Sequence, residues 1–145
     1  MSNVREKILD NLKNGLANIN NENGYTTNIK QVIRSPVPTG FSFSGEETPA
    51  LLITDKDEAL IVENIADYTI MEMNITIEGH LKNKTNIKTD FNQLISDIRK
   101  YIASASLGDN VHFARDGSLG ILWGKDGVMF TMELMIRYYY PKDDP

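Results

Sequence analysis

The chain has 145 residues and 16.3 kDa, 41% of them hydrophobic and 24% charged, which is the composition of one ordinary folded domain. It contains no cysteine, which excludes disulfides, thiolate catalysis and cysteine-ligated zinc, and its net charge of −5 argues against binding a phosphate backbone as its main task. No apolar run approaches the roughly 18–20 residues of a membrane helix. The polar opening Met1-Ser2-Asn3-Val4-Arg5-Glu6-Lys7 does not read as a signal peptide, so the expectation is a soluble protein that stays where it is made.

From Val4, apolar residues recur at Ile8, Leu9, Leu12, Leu16 and Ile19 with charged residues off that stripe, which predicts an amphipathic helix. Ser2 or Asn3 can cap its start, and Asn20-Asn21-Glu22-Asn23-Gly24 ends it. Gly15 inside the pattern lowers helix propensity by about 1 kcal/mol relative to Ala and points to a close approach there. Tyr25–Arg34 alternates as a half-buried strand. Residues 35–49 hold Pro36, Pro38 and Pro49, and a loop of that length is expected to be functional or flexible. Ala50-Leu51-Leu52-Ile53-Thr54 reads as a short strand buried on both faces, with a turn at Asp55-Lys56-Asp57-Glu58.

Residues 59–82 carry the strongest strand signal. In Met71–Glu78 the apolar positions are all odd and the polar ones all even, so one face is core and the other wet. A one-residue slip would invert that arrangement, and register is therefore firmly set. A second helix is predicted from about Asp90 to Ser104. Asp90 and Gln93 stand at capping-box spacing, and Phe91, Leu94, Ile95, Ile98 and Ile102 form its buried stripe. A hairpin closes the chain. Leu119–Gly124 is one strand, Lys125-Asp126-Gly127 the turn, and Val128–Tyr140 returns with Phe130, Met132, Leu134, Ile136 and Tyr138 on one face. Pro141 ends the ladder and 141–145 is a short acidic tail.

Charge is unevenly placed along these elements. Residues 1–34 net +2, residues 35–80 net −8, and residues 81–124 net +2. The acidic stretch sets Lys56 alone against Glu46, Glu47, Asp55, Asp57, Glu58, Glu63, Asp67, Glu72 and Glu78, which is either a solvated face or a surface that repels an anion.

Motifs for chemistry are weak. His80 and His112 lack the spacing that puts two metal ligands on one helix face. Asp55-Lys56-Asp57-Glu58 lacks the third acid and turn glycine of a calcium loop. The glycines at 117, 120 and 124 are not followed by the Lys-Ser/Thr and helix of a phosphate loop, and no serine stands in a nucleophile elbow. Asn74-Ile75-Thr76 and Asn83-Lys84-Thr85 match glycosylation acceptors but carry no weight without a secretory signal. Met71, Met73 and Met132 read as core, whereas Met135 lies off the buried face. Tyr138-Tyr139-Tyr140 must turn at least one ring outward, a natural interface anchor. The residues thus read as a scaffold, with no catalytic site.

The succession of elements carries more. An amphipathic helix, Gly24-Tyr25-Thr26-Thr27 entering a strand, then Thr48-Pro49-Ala50-Leu51-Leu52-Ile53, a long alternating strand, a helix of the Phe91-Asn92-Gln93-Leu94-Ile95-Ser96-Asp97-Ile98 type and a last strand ending Arg137-Tyr138-Tyr139-Tyr140 resembles the tail terminator (tail completion) proteins of tailed bacteriophages over nearly the whole chain. The resemblance implies a single α+β domain spanning 1–145, with a mixed or antiparallel sheet covered on one face by two helices. It implies a homo-hexameric ring, assembled in the host cytoplasm, that caps the head-proximal end of the tail tube, ends its polymerisation and meets the head connector. In a contractile tail the sheath is a further partner. DNA passes through without specific binding, and no cofactor, metal or membrane is involved.

On that reading Phe41 and Phe43 in the 35–49 loop and Tyr139 and Tyr140 on the last strand are the candidate interface residues. Glu46, Glu47, Asp55, Asp57 and Glu58 are candidates to face the channel, where carboxylates keep the duplex from sticking. Three alternatives remain: a head–tail neck protein, an adaptor that binds through a strand edge, and a small enzyme with a dispersed site.

Overall fold

A computed structural model describes residues 3–82 and 85–145, so Ser2 as a cap and the Asn83-Lys84-Thr85 acceptor lie wholly or partly outside the described residues. Helix α1 (Val4–Ala17) starts where the Glu6 amide donates to Asn3 Oδ1 at 2.9 Å. Its apolar stripe is buried as the periodicity predicts, and Gly24 takes the left-handed φ of +86° after the turn that follows it.

Strand β1 (Gln31–Arg34) is shorter than the alternation of 25–34 suggests. The reason lies in where residues 25–30 send their amides. Thr27 N–H donates to the buried Asp97 carboxylate at 2.7 Å, Ile29 N–H to Ile19 O at 2.9 Å and Lys30 N–H to Pro49 O at 2.8 Å. These groups are satisfied by a helix side chain and by loops, so only four residues are left to pair as a strand.

Strand β2 (Ala50–Ile65) runs parallel to β1 from Gln31↔Ala50 to Arg34↔Ile53, and a parallel pair needs a long crossover. Residues 35–49 supply it. They are pinned rather than loose. Phe43 is buried, Lys82 Nζ donates to Phe43 O at 2.6 Å, the Lys82 amide donates to Thr48 Oγ1 at 3.1 Å, and the Ser44 amide donates to Glu47 Oε1 at 2.8 Å.

The turn expected at Asp55–Glu58 is absent, because β2 continues through it with a shift of register between Asp55 and Glu58. The chain reverses instead at Ala66-Asp67, between the paired residues Ile65 and Tyr68, with φ of 47° and 67°. Positive φ at both central residues matches the twist of the flanking strands, as a two-residue hairpin requires.

Strand β3 (Tyr68–Lys82) follows, then helix α2 (Ile87–Ser104), strand β4 (Val111–Trp123) and strand β5 (Gly127–Pro141). Helix α2 begins three residues earlier than its spacing indicates, after Asn86 in a left-handed conformation, so Asp90 sits in its first turn and is not the cap. Strand β4 starts well before Leu119. The sheet order is β1-β2-β3-β5-β4, antiparallel except for β1 beside β2. Both helices cover one face. Odd residues of β3 and even residues of β5 meet the stripes of α1 and α2 in one continuous core, which gives the α+β architecture.

Two glycines are places where side chains of other elements need the room. A Cβ on Gly15 would overlap the Tyr101 ring of α2, and one on Gly79 would overlap Phe130 across the β3–β5 pair. Gly15→Ala should therefore lower stability by about 1–2 kcal/mol in denaturant unfolding, where helix propensity alone predicts a gain. Burial, reinforced by neighbouring Tyr25, pushes the Tyr101 hydroxyl from 10.0 up to about 12. The folded chain holds that proton more tightly, so its stabilisation is complete below about pH 10 and is lost as pH rises through about 12. Tyr101→Phe should remove this component from the alkaline unfolding curve. An unchanged curve would show that folding does not raise the Tyr101 pKa.

Candidate assembly surfaces

The candidate residues do not converge on one place. Phe43 is buried edge-on to Phe41 and beside His80, with ring centroids 5.0 and 5.2 Å apart, so it anchors its own loop and is not available as a contact. Phe41 is exposed beside it. Tyr139 and Tyr140 point to opposite faces. Tyr140 lies against the core on the helix side, near Tyr138, while Tyr139 is half-buried on the uncovered face and its hydroxyl donates to Asp109 O at 2.9 Å.

The acidic residues are divided in the same way. The register shift within β2 pairs Asp55 with Ile75 and Glu58 with Met73, which turns both carboxylates to the helix side. There Arg5 of α1 meets Asp55 at 2.9 Å and Glu58 at 2.8 Å, and the Tyr138 hydroxyl donates to Glu58 Oε1 at 2.8 Å. Burial and the Glu58 carboxylate together hold the Tyr138 hydroxyl well above the usual tyrosine range. This cluster clips α1 to the sheet on its helix-covered side. Asp57 turns the other way and accepts from Asn74 Nδ2 at 3.1 Å, and Glu46 and Glu47 sit in a single helical turn just before β2. The bulge thus parts these acids, with Asp55 and Glu58 on the helix side of β2 and Asp57 on the other.

The uncovered face of the sheet is polar at its centre. Arg137 Nη2 meets Glu72 at 2.8 Å, Lys56 Nζ lies 3.5 Å from Glu133, and His80 Nε2 lies 2.7 Å from Glu78. At one end it becomes apolar. Ile65, Ala66, Tyr68, Ile70, His112 and Tyr139 line a shallow depression of about 340 Å³, with the His112 and Tyr139 rings 4.9 Å apart. His80 and His112 thus serve as side-chain partners on the sheet. Among the described residues no three His, Asp or Glu side chains gather as a metal ion needs, and no helix is long and apolar enough to cross a membrane.

The two outer edges of the sheet are the feature that spacing alone missed. Strand β1 covers β2 only as far as Ile53, so residues 54–65 form a free edge, and β4 forms the other. Large apolar side chains are exposed on both: Leu60 (54%) and Ile65 (53%) with Ile61 on β2, and Leu122 (63%) and Trp123 (47%) with Ile121 on β4. The sequence holds a signal for them. Ala59-Leu60-Ile61-Val62 and Leu119-Gly120-Ile121-Leu122-Trp123 are uncharged runs without alternation, and such runs normally belong to strands covered on both faces.

No family model matches the chain, and no curated protein matches it. Among solved structures it is similar to the crystal structure of the type 4 fimbrial biogenesis protein PilO from Pseudomonas aeruginosa, at 12% identity and a TM-score of 0.27. The match covers 61% of this chain and 57% of that one, and a likeness this low carries no argument.

The Arg5–Glu58–Tyr138 cluster is testable apart from any assembly. Tyr138→Phe removes a hydrogen bond to a charged acceptor and should cost about 1.5 kcal/mol in denaturant unfolding. Asp57→Asn on the wet face should stay within about 0.5 kcal/mol of the parent. Equal effects of the two would overturn the division of the acids between the faces.

Proposed function

We propose that this chain is a structural subunit that works by joining copies of itself head to tail into a ring, and that the ring is the terminator of a phage tail tube. The observation that carries the reading is the pair of free sheet edges, each with its own exposed apolar residues. A closed ring needs two different, complementary patches on every subunit. An adaptor that captures one partner strand needs only one such edge, so the second favours the ring. The copy number of six and the place at the head-proximal end of the tube come with the resemblance of the element order to tail terminators. So do the tube protein and head connector as partners, and the sheath where the tail contracts. Absence of catalysis belongs to the same proposal.

The channel role extends from Asp57 to further acids. Glu72, Glu78 and Glu133 stand on the uncovered face, with Asp57 beside them, and a sheet that turns this face inward would present carboxylates to passing DNA. Electron microscopy of the protein mixed with polymerising cognate tube protein tests the proposal. Tubes should stop growing with a ring on one end, and their mean length should fall as the protein is added. An unchanged length distribution with bare ends would overturn it.

A further inference from the structure

We infer that copies of this chain join through one shared β-sheet, with the β4 edge of one copy adding antiparallel to the free half of β2 on the next. The inference rests on the ring reading and specifies its interface.

Strand direction is the first support. From β2 to β4 the sheet takes three antiparallel steps, β2 to β3, β3 to β5 and β5 to β4, so β2 and β4 run in opposite senses. A ring operator keeps the sense of each strand relative to its axis. The two free edges therefore meet antiparallel, the slightly more stable ladder.

Backbone groups are the second. The Gly124 amide donates to Gly127 O at 2.8 Å where the hairpin closes. Antiparallel pairs alternate between bonded and non-bonded, so Ile121 and Trp123 turn their N–H and C=O away from β5 toward the open edge. Charge and proline are missing along the apolar part of each edge, although a register shift between Leu60 and Val62 interrupts the first. Residues 59–62 and 119–123 contain neither charge nor proline, and an edge of that kind is a template for another strand.

Charge selects the partner and its register. On β2 the apolar run 59–62 is flanked by the acids Asp57 and Glu63. On β4 the charges around the run 119–123 are Arg115 and Asp116 before it and Lys125 and Asp126 after it; Asp116 is paired with Arg99, and among the described residues neither Arg115 nor Lys125 has an ion-pair partner. Laid antiparallel with the runs centred, Asp57 comes toward Lys125, while Glu63 comes level with Ser118 and Leu119. Two acid-flanked β2 edges would repel, which disfavours a symmetric dimer through β2. Within one subunit Leu51, not Ile61, lies level with Ile121, because β1 occupies the first half of β2. Successive sheets are then offset along their strands, and the strands cross the ring inclined to its axis, as in barrels.

The cysteine-free chain makes the test direct. Leu60→Cys and Ile121→Cys alter two exposed edge residues whose side chains share the helix-covered face of the sheet, and leave the core intact. The two variants are mixed on assembled particles and at high concentration in solution, then treated with a short bismaleimide. The mixture should give a cross-linked dimer and each variant alone should give little. Asp57→Lys should reduce the yield several-fold, and Lys125→Asp on the opposing copy should restore it. Rings that form without the mixed cross-link overturn the shared sheet and leave the ring reading standing. Strong self-cross-linking of one variant overturns the shared sheet as well. A mixed cross-link within open filaments supports the shared sheet while the ring reading fails.

Discussion

Strands β3 and β5 lie side by side over fifteen residue pairs without a slip, from Tyr68↔Pro141 to Lys82↔Gly127. Their shared alternation places Met73, Ile75 and Ile77 with Met132, Leu134 and Ile136 on one face, all of them buried. Two helices with matching apolar stripes cover that face, and the residues between, from Glu72 to His80 and from Met129 to Arg137, are left on the other. Because the side-chain period is two, a one-residue slip of this pair would turn its apolar face to water. The rest of the molecule is arranged about it. Strand β2 is added on one side and β4 on the other, and neither has a covering strand along its whole length.

That arrangement explains why the molecule spends its strongest polar contacts on attaching α1. Arg5, Asp55, Glu58 and Tyr138 tie the start of the helix to β2 and β5, and Arg34 pairs with Glu6 at 2.6 Å on the same helix. On α2 the buried Asp97 holds the Thr27 amide, so the segment entering β1 is fixed by a carboxylate instead of a ladder. An open sheet with exposed apolar edges is a hazard for a lone subunit, and bulges in β2 and in β4 already interrupt both edges. The uncharged runs that remain are short, and charged residues stand close to both ends of each.

The parts legible in the sequence are those governed by local periodicity. The stripes of both helices, the faces of β3 and β5, and the hairpin at Lys125-Asp126-Gly127 follow from spacing and turn chemistry. Errors cluster where a local signal was missing or misleading. Ala66-Asp67 adopts a turn usually marked by Asn-Gly or Asp-Gly, so the reversal left no trace, while the four charged residues at 55–58 imitated one. A bulge then moved Glu58 to the same side as Asp55, which no count of alternate residues could anticipate. The candidate interface rings were chosen for being aromatic in a loop or on a last strand, and Phe43 proved to be the loop's own anchor.

By itself the sequence determined that this chain folds without disulfides about one apolar core, with two amphipathic helices and strands that keep one face wet. Those are properties of a residue and its near neighbours, and periods of 3.6 and 2 express them directly. Only the tertiary structure decided that residues 54–65 and 111–123 are edges and that the acids of the middle segment part to opposite faces. Whether a strand is central or at the rim depends on which distant segment pairs with it. That choice is made by the packing of the whole sheet against its helices and is not written in any short window of the chain.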